Sequence, residues 1–163
     1  MRCPDLKELT VKAVQAAREA GALIQSYQGG EIEVLRKEGG HTYASQVVTE
    51  VDRKAQEVIL NLLEPTCVKH DLALLAEESK DDYSRFEKDF FWCIDPLDGT
   101  LAFTRSEPGY SVSIGLVARD GSPQIGVVYD PVREVLWQGT RRYGIERNAV
   151  SYTHLTLPTT YHV

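Results

Sequence analysis

Two aspartates with a rigid residue between them follow an apolar run in segment 92–100, which reads Trp-Cys-Ile-Asp-Pro-Leu-Asp-Gly-Thr. Pro96 fixes its own φ at about −65° and biases Asp95 toward an extended conformation, so we expect a buried strand to end at Ile94. The main chain then has to change direction, and this change brings Asp98 toward Asp95. Carboxylates gathered in this way are typical ligands of hard divalent cations, Mg²⁺ above all.

The other residues of the segment supply backbone groups to the same place. The change of direction leaves the carbonyl of Leu97 facing the two carboxylates, and Mg²⁺ prefers a mixed set of carboxylate, carbonyl and water oxygens. Gly99 lets the backbone approach a ligand closely, and Thr100 begins a short helix whose N–H groups suit a phosphate. The segment therefore predicts a combined metal and phosphate site.

Turn formation is the simpler interpretation of each dipeptide taken alone. Asp-Pro and Asp-Gly are common in turns, and Thr after Gly is an ordinary helix start. Turn formation does not explain two acids three positions apart with Pro, Gly and Thr at fixed offsets behind an apolar strand. A phosphatase with an aspartate nucleophile in an Asp-x-Asp-Gly-Thr string is excluded by spacing, because two residues, not one, separate Asp95 from Asp98.

Segments on both sides of the aspartate motif extend the pattern. They are Val48–Asp52, Leu74–Ser79, Gly109–Gly115 and Ile125–Pro131. Together with the aspartate motif they resemble the inositol monophosphatase family of metal-dependent, lithium-sensitive phosphatases. This group also includes 3'(2'),5'-bisphosphate nucleotidases and fructose-1,6-bisphosphatases. The resemblance runs from about residue 5 to about residue 147, in the family's order.

The resemblance implies a metal centre and a mechanism in which water attacks a phosphomonoester directly. Glu77, Asp95 and the carbonyl of Leu97 match the family's first Mg²⁺ site, and Asp95 and Asp98 match the shared part of a second. Asp95 would bridge the two ions, and Glu77 also counts among the catalytic residues. No protein nucleophile is needed when two cations activate the water and stabilise the leaving oxygen.

The same resemblance implies which groups handle the water and the phosphate. Asp52 and Thr100 match the pair that orients and deprotonates the attacking water, and the N–H groups of Gly99 and Thr100 match those that bind phosphate oxygens. Structural alternatives stay open for the acids. Asp52 is also the fourth position of a capping box that begins at Thr49.

Glu77 and Glu78 have a structural alternative as exposed charges at a strand end. Glu78 is the weaker metal candidate of the two, and Ser79 is expected to be only a turn residue.

Composition and charge narrow the class of protein. The chain has 163 residues, 42% of them hydrophobic, and a net charge of −6. This charge disfavours a nucleic-acid polymer as partner. An acidic protein that binds phosphate esters needs a cation that makes the charge of the binding site positive. The expected partner is a small phosphorylated metabolite, and whether the intact enzyme is a homodimer stays open.

Targeting signals and cysteines point to an ordinary intracellular enzyme. The chain has no run of about 18 apolar residues and no secretory signal, so we expect a cytoplasmic protein with no membrane association. Three cysteines are too few and too widely spaced for a disulfide framework or a zinc site. Cys93, beside Trp92, is expected to pack in the core.

Hydrophobic periodicity predicts two long helices followed by an antiparallel sheet. The first helix covers 5–27, and the second begins at its cap Thr49 and ends near Leu63, before Pro65. A short strand at 32–35 and a mobile loop at 37–46 lie between them. The remaining predicted strands are 72–76, 90–95, 110–118, 124–130 and 134–138. This is an α+β arrangement, the N-terminal part of the family's layered α/β/α/β/α sugar-phosphatase fold.

The end of the chain departs from the family. No Asp, Glu, Lys or Arg follows Arg147, whereas the family continues with a second α/β half that includes a Trp-Asp-x-Ala-Gly motif and a further metal-binding aspartate. We expect 1–147 to be the N-terminal part of an inositol monophosphatase-like domain and 148–163 to be unrelated sequence, artefactual or disordered. A natural divergent tail is the alternative, and His154 and His162 are expected to be inert.

Two alternatives to an inositol monophosphatase stay open at this point. The substrate could be a 3'-phosphoadenosine 5'-phosphate type of nucleotide, because the family's selectivity residues lie mainly in its second half. The chain could also be a non-catalytic truncated fragment with an uncovered sheet face and an unpaired sheet edge.

Overall fold

The computed structural model describes residues 4–27, 34–36 and 47–152, without the side chains of 34–36, 47–49 and 150–152. The loop predicted at 37–46, the start of the strand predicted at 32–35, and His154 and His162 lie outside these ranges. Within them, no helix is both long enough and apolar enough to cross a membrane.

Two helices of 21 residues each, α1 (Leu6–Ser26) and α2 (Glu50–His70), pack side by side. The carboxylate of Asp5 caps α1 by accepting hydrogen bonds from the N–H groups of Lys7 (3.0 Å) and Glu8 (3.2 Å). The buried stripe of α1 is rich in alanine, which allows close packing: Leu9, Ala13, Ala16, Ala17, Ala20 and Ile24 are all fully buried. The two predicted long helices are confirmed.

The predicted end of the second helix before Pro65 is wrong, because α2 continues to His70. Pro65 has no N–H to donate to the carbonyl of Asn61, so one helical hydrogen bond is missing. Both residues are exposed, and water can bind this carbonyl instead. On the buried side Thr66 donates to the carbonyl of Leu63 (2.6 Å) and accepts from the indole N–H of Trp92 (2.9 Å). This tertiary contact holds the last turns of the helix in place.

In the part of the chain that the structure describes, the main sheet has seven strands in the order β3-β4-β5-β6-β7-β8-β9. The strands are β3 (Ala73–Ala76), β4 (Phe90–Asp98), β5 (Ser111–Ala118), β6 (Pro123–Asp130), β7 (Val135–Thr140), β8 (Gly144–Arg147) and β9 (Val150–Tyr152). Only β3 and β4 pair in parallel, and all other neighbours are antiparallel. The predicted fold, two helices packed on an antiparallel sheet, is confirmed, although the parallel pairing of β3 with β4 was not predicted.

A separate two-stranded ribbon lies before α2. It is formed by β1 (Val34–Arg36) and β2 (Val47–Thr49), which pair antiparallel. Because β2 ends at Thr49 and α2 starts at Glu50, the ribbon leads directly into the first turn of α2. Neither β2 nor the last two strands of the main sheet was predicted from the sequence.

One face of the main sheet is covered by the two helices. Trp92 and Ile94 of β4 and Leu116 of β5 point to this face and are buried. The predicted core position of Cys93 is wrong: its side chain is exposed, because successive side chains of a strand alternate between faces and Trp92 takes the helix side. Val128, also on the opposite face, is 42% exposed.

Strand β4 does not end at Ile94 as predicted but continues to Asp98. Its pairing with β5 becomes irregular between Asp95 and Asp98, where Pro96 cannot donate a ladder hydrogen bond. The short helix α3 (Thr100–Thr104) then begins at Thr100, as expected from the sequence.

Residues beyond Arg147 continue the sheet for a few positions. The N–H of Asn148 donates to the carbonyl of Leu136 (2.9 Å), and its side-chain oxygen accepts from the N–H of Leu136 (2.8 Å). The edge of β7 is covered by β8, and strand β9 in turn pairs with β8. The division of the chain at residue 147 stays a prediction.

Gly99 links β4 to α3 in a conformation that a side chain would not tolerate. Its φ is +90°, and an added Cβ would lie 2.5 Å from the carbonyl oxygen of Gly109 and 3.0 Å from the Cα of Tyr110. Both neighbours are backbone or buried atoms that cannot rotate away. The tight turn after the aspartate motif therefore depends on glycine.

Replacing this glycine should cost more than backbone strain alone. Gly121 has nearly the same φ (+86°) but nothing within 4 Å of an added Cβ, so Gly121→Ala measures the strain by itself, on the order of 1 kcal/mol. Gly99→Ala adds the contact with Gly109 and should lower the free energy of unfolding in urea by clearly more. Equal losses in the two variants would contradict the described contact.

Candidate metal centre

The parallel pairing of β3 and β4 brings the two acidic motifs together. The carboxyl ends of parallel neighbours meet at the same edge of a sheet. Glu77 follows β3 directly, and its N–H donates to the carbonyl of Ile94 (3.1 Å) in β4. Glu77 is thereby placed beside Asp95, the next residue of β4.

The carboxyl groups of Glu77 and Asp95 interact strongly. Burial, the charge of Glu77, a hydrogen bond from Glu77 and the charge of Asp98 together raise the pKa of Asp95 to about 7, against a weaker opposing hydrogen bond from the N–H of Leu97. A hydrogen bond between two carboxyl groups requires a proton on one of them. A cation between the two carboxyl groups would take over the role of that proton.

The backbone after Asp95 is held by the residues of its own motif. The N–H of Leu97 donates to Oδ1 of Asp95 (3.2 Å), and the hydroxyl of Thr100 donates to the carbonyl of Leu97 (3.0 Å). A carbonyl oxygen has two lone pairs, so this bond leaves one for a further partner. The carbonyl of Gly99 accepts from the N–H groups of Ala102 (2.9 Å) and Phe103 (3.2 Å) and starts α3.

Helix α2 runs antiparallel to β3 and β4 and brings its first turn to the same edge. Thr66, near its end, bonds Trp92 near the start of β4, while Gln56 bonds Ser79 just after β3. Asp52 lies one turn before Gln56 and is only 3% exposed. In addition, β2 contacts α3, so the start of α2 lies near the helix that begins at Thr100.

The position of Asp52 agrees with the expected role, but its pairing with Thr100 stays a prediction. The side chain of Thr49, the other member of the capping box, lies outside the described side chains, so that alternative also stays open.

Gln56 belongs to this edge, although the sequence analysis missed it. Its side chain is 5% exposed; Nε2 donates to Oγ of Ser79 (2.8 Å), and Oε1 accepts from the N–H of Glu78 (2.9 Å). The available signal was its helical spacing of four from Asp52, which places both on one face. Ser79 is accordingly more than a turn residue, since it also fixes α2.

The donor set fits a hard cation, although it does not form a complete metal cage. Within the described residues, no three His, Cys, Asp or Glu side chains form a group that would hold a metal ion by themselves. Glu77 and Asp95 are within hydrogen-bonding reach of each other, whereas Asp98 acts on Asp95 through its charge. These oxygens, with the Leu97 carbonyl, leave the rest of an octahedral shell to water or to other ligands.

The acidic residues of the candidate site do not line a cavity of about 700 Å³ that the described residues form. This cavity lies around the end of α2 and is lined in part by Lys69, His70 and Asp71. The two lysines that line this cavity, Lys69 and Lys88, are already paired with Glu8 and Asp71.

The sequence profile of the inositol monophosphatase family matches residues 5–160. Inositol-1-monophosphatase of Synechocystis is 39% identical over 144 residues, covering 88% of this chain and 47% of that protein. Nus factor SuhB of Escherichia coli is 35% identical over 137 residues, covering 83% and 48%.

A solved structure agrees with the sequence relatives. Extragenic suppressor protein SuhB of Bartonella henselae has a TM-score of 0.76 at 29% identity, covering 88% of this chain and 53% of that chain. The chain spans about half the length of the curated relatives it matches. Since the family profile covers almost the whole sequence, the chain belongs to the inositol monophosphatase family, a family of phosphatases.

Proposed function

We propose that the intact protein is a Mg²⁺-dependent phosphomonoesterase that hydrolyses a small phosphorylated metabolite such as inositol monophosphate. The observation that carries the proposal is the pair of Glu77 and Asp95, held in hydrogen-bonding contact where the parallel strands β3 and β4 end. Such a pair would repel a phosphate dianion unless a cation lay between them. Family membership supports a phosphatase as the class of enzyme.

Glu77, Asp95 and the carbonyl of Leu97 would hold one Mg²⁺, and Asp95 with Asp98 would hold part of a second. When bound, the ions supply Lewis-acid polarisation of the phosphate oxygens. The hydrogen bond from Thr100 to Leu97 supports this assignment, because it keeps the carbonyl oriented next to the carboxylates.

Asp52 and Thr100 would handle the attacking water. The buried carboxylate of Asp52 accepts its proton, and the Thr100 hydroxyl orients it, so Asp52 has to be ionised before the water arrives. The N–H groups of Gly99 and Thr100 bind the phosphate oxygens. The glycine turn supports this part of the proposal, since it keeps side-chain atoms away from the backbone there.

The incomplete ligand set favours a second candidate, in which this 163-residue chain alone is a weak cation binder without catalytic activity. No three acidic, His or Cys side chains of the described part close around a metal, and the relatives are about twice as long. The expected result is weak Mg²⁺ binding by calorimetry and little release of phosphate from inositol monophosphate or adenosine 3',5'-bisphosphate. A soluble monomer with robust turnover on either substrate would exclude this candidate.

Asp95→Asn in the intact enzyme tests the proposed metal centre. The variant keeps the shape of the side chain but removes the charge that both ions would share, so turnover should fall on the order of a thousandfold or more. Glu78→Gln is the matched control and should lose much less. The measurement is phosphate release from inositol monophosphate and from adenosine 3',5'-bisphosphate, with circular dichroism as a check of the fold.

Two results would contradict the proposal. Equal losses in the two variants would show that Asp95 is not the shared ligand. Wild-type turnover that persists in excess chelator would remove the metal from the mechanism altogether.

The raised pKa of Asp95 also predicts how stability depends on pH without metal. The pKa rises from 3.8 to about 7 on folding, so this group stabilises the fold fully below pH 3.8 and loses its contribution as the pH rises through 7. Between pH 5 and pH 8 the free energy of unfolding should therefore fall in the wild type and fall less in Asp95→Asn. Urea titrations at several pH values in chelator measure this difference, and identical pH profiles would count against the acid pair.

A further inference from the structure

Gln56 connects α2 to the turn that follows β3. It is a neutral side chain in an acidic surrounding and is almost completely buried, at 5% exposure. Both of its polar groups are used, with Nε2 donating to Oγ of Ser79 (2.8 Å) and Oε1 accepting from the N–H of Glu78 (2.9 Å). A buried amide with both ends bonded in this way has one defined orientation.

The bond to Glu78 acts on Glu77. The N–H of Glu78 belongs to the peptide unit that starts at the carbonyl of Glu77, so fixing this N–H fixes the ψ angle of Glu77. The N–H of Glu77 is already held by the carbonyl of Ile94 (3.1 Å), and the N–H of Ser79 closes the turn onto the carbonyl of Ala76 (3.1 Å). The backbone of Glu77 is therefore held by β4 on one side and by Gln56 on the other.

We infer that Gln56 is a positioning residue that sets the direction of the Glu77 carboxylate toward Asp95. The same side chain links the two halves of the site, because Asp52 lies four residues earlier on the same buried face of α2. One face of α2 carries Asp52 and, through Gln56, is hydrogen-bonded to the turn that contains Glu77. This face therefore fixes the separation of Asp52 and Glu77. The inference rests on the proposed function only in treating Glu77 as a metal ligand.

The amide suits this task better than an acid or an apolar side chain. It donates to one partner and accepts from another without adding a negative charge next to Glu77, Glu78 and Asp95. An apolar side chain of the same length would leave the N–H of Glu78 without its partner. A glutamate would keep that acceptor, and the Ser79 hydroxyl could turn to donate to it.

Three variants of the intact protein separate positioning from general stability. Gln56→Met removes both bonds at similar volume, whereas Gln56→Glu loses the N–H donor but keeps the acceptor for the N–H of Glu78. Thr66→Val is the matched control, since Thr66 is also buried on α2 and hydrogen-bonded, but to Trp92 at the other end of the strands. For each, we would measure the unfolding free energy, Mg²⁺ affinity by calorimetry and hydrogen exchange of the Glu78 amide by NMR.

Gln56→Met should weaken Mg²⁺ binding by about tenfold, the lower end of the effect of outer-shell partners, and should speed exchange at Glu78. Gln56→Glu keeps the acceptor for the N–H of Glu78 and should therefore keep exchange at that amide close to the wild-type rate. Thr66→Val should lose stability but change neither Mg²⁺ binding nor this exchange rate. Wild-type Mg²⁺ affinity in Gln56→Met, or an equal loss of affinity in Thr66→Val, would overturn the inference.

The exchange measurement keeps this inference separate from the proposed function. If the wild type binds no Mg²⁺, the proposed metal centre is wrong. Hydrogen exchange of the Glu78 amide still shows whether Gln56 holds the turn at Glu77. Unchanged exchange in Gln56→Met would refute the positioning role whatever the metal result.

Discussion

The parallel pairing of β3 and β4 is the constraint on which the site depends. Antiparallel neighbours joined by a hairpin would place the residue after one strand opposite the start of the next. Here the parallel pairing of the two strands ends at one edge of the sheet. The hydrogen bond from the N–H of Glu77 to the carbonyl of Ile94 then places Glu77 beside Asp95. The connection between the strands has to return along the whole strand length, and the residues from 77 to 89 do so with one short 3₁₀ turn at Ser84–Phe86.

This arrangement has an electrostatic cost that the rest of the fold accommodates. Two carboxyl groups in a partly buried place cannot both ionise easily, and the chain already carries a net charge of −6. Gln56 bonds the adjoining turn without adding to that charge, and the backbone around Leu97 turns an N–H toward Asp95. The carboxylates are thereby held in position by neutral groups, which leaves their negative charge available to a cation.

Local chemistry was readable from the sequence where it depends on neighbouring residues alone. Gly99 with its positive φ and the start of α3 at Thr100 follow from such rules. The predictions for Pro65 and Cys93 were wrong because tertiary contacts decided them. The Thr66–Trp92 bond carries α2 past the proline, and the side of β4 that meets the helices determines whether Cys93 is buried. Gln56 was missed because its partners lie more than twenty residues away.

The continuation of β4 to Asp98 explains how the two aspartates come to act together. In a regular strand, residues three positions apart point to opposite faces, so a straight β4 would direct Asp98 away from Asp95. The irregular pairing at Pro96 adds one residue to β4, so Asp98 pairs with Ser111, two positions from the partner of Asp95. Asp98 therefore returns to the side of Asp95, where its charge raises the pKa of Asp95. The tight pair of Glu77 and Asp95 is the fixed part of the site. Asp98 adds a third negative charge on the same side of the sheet.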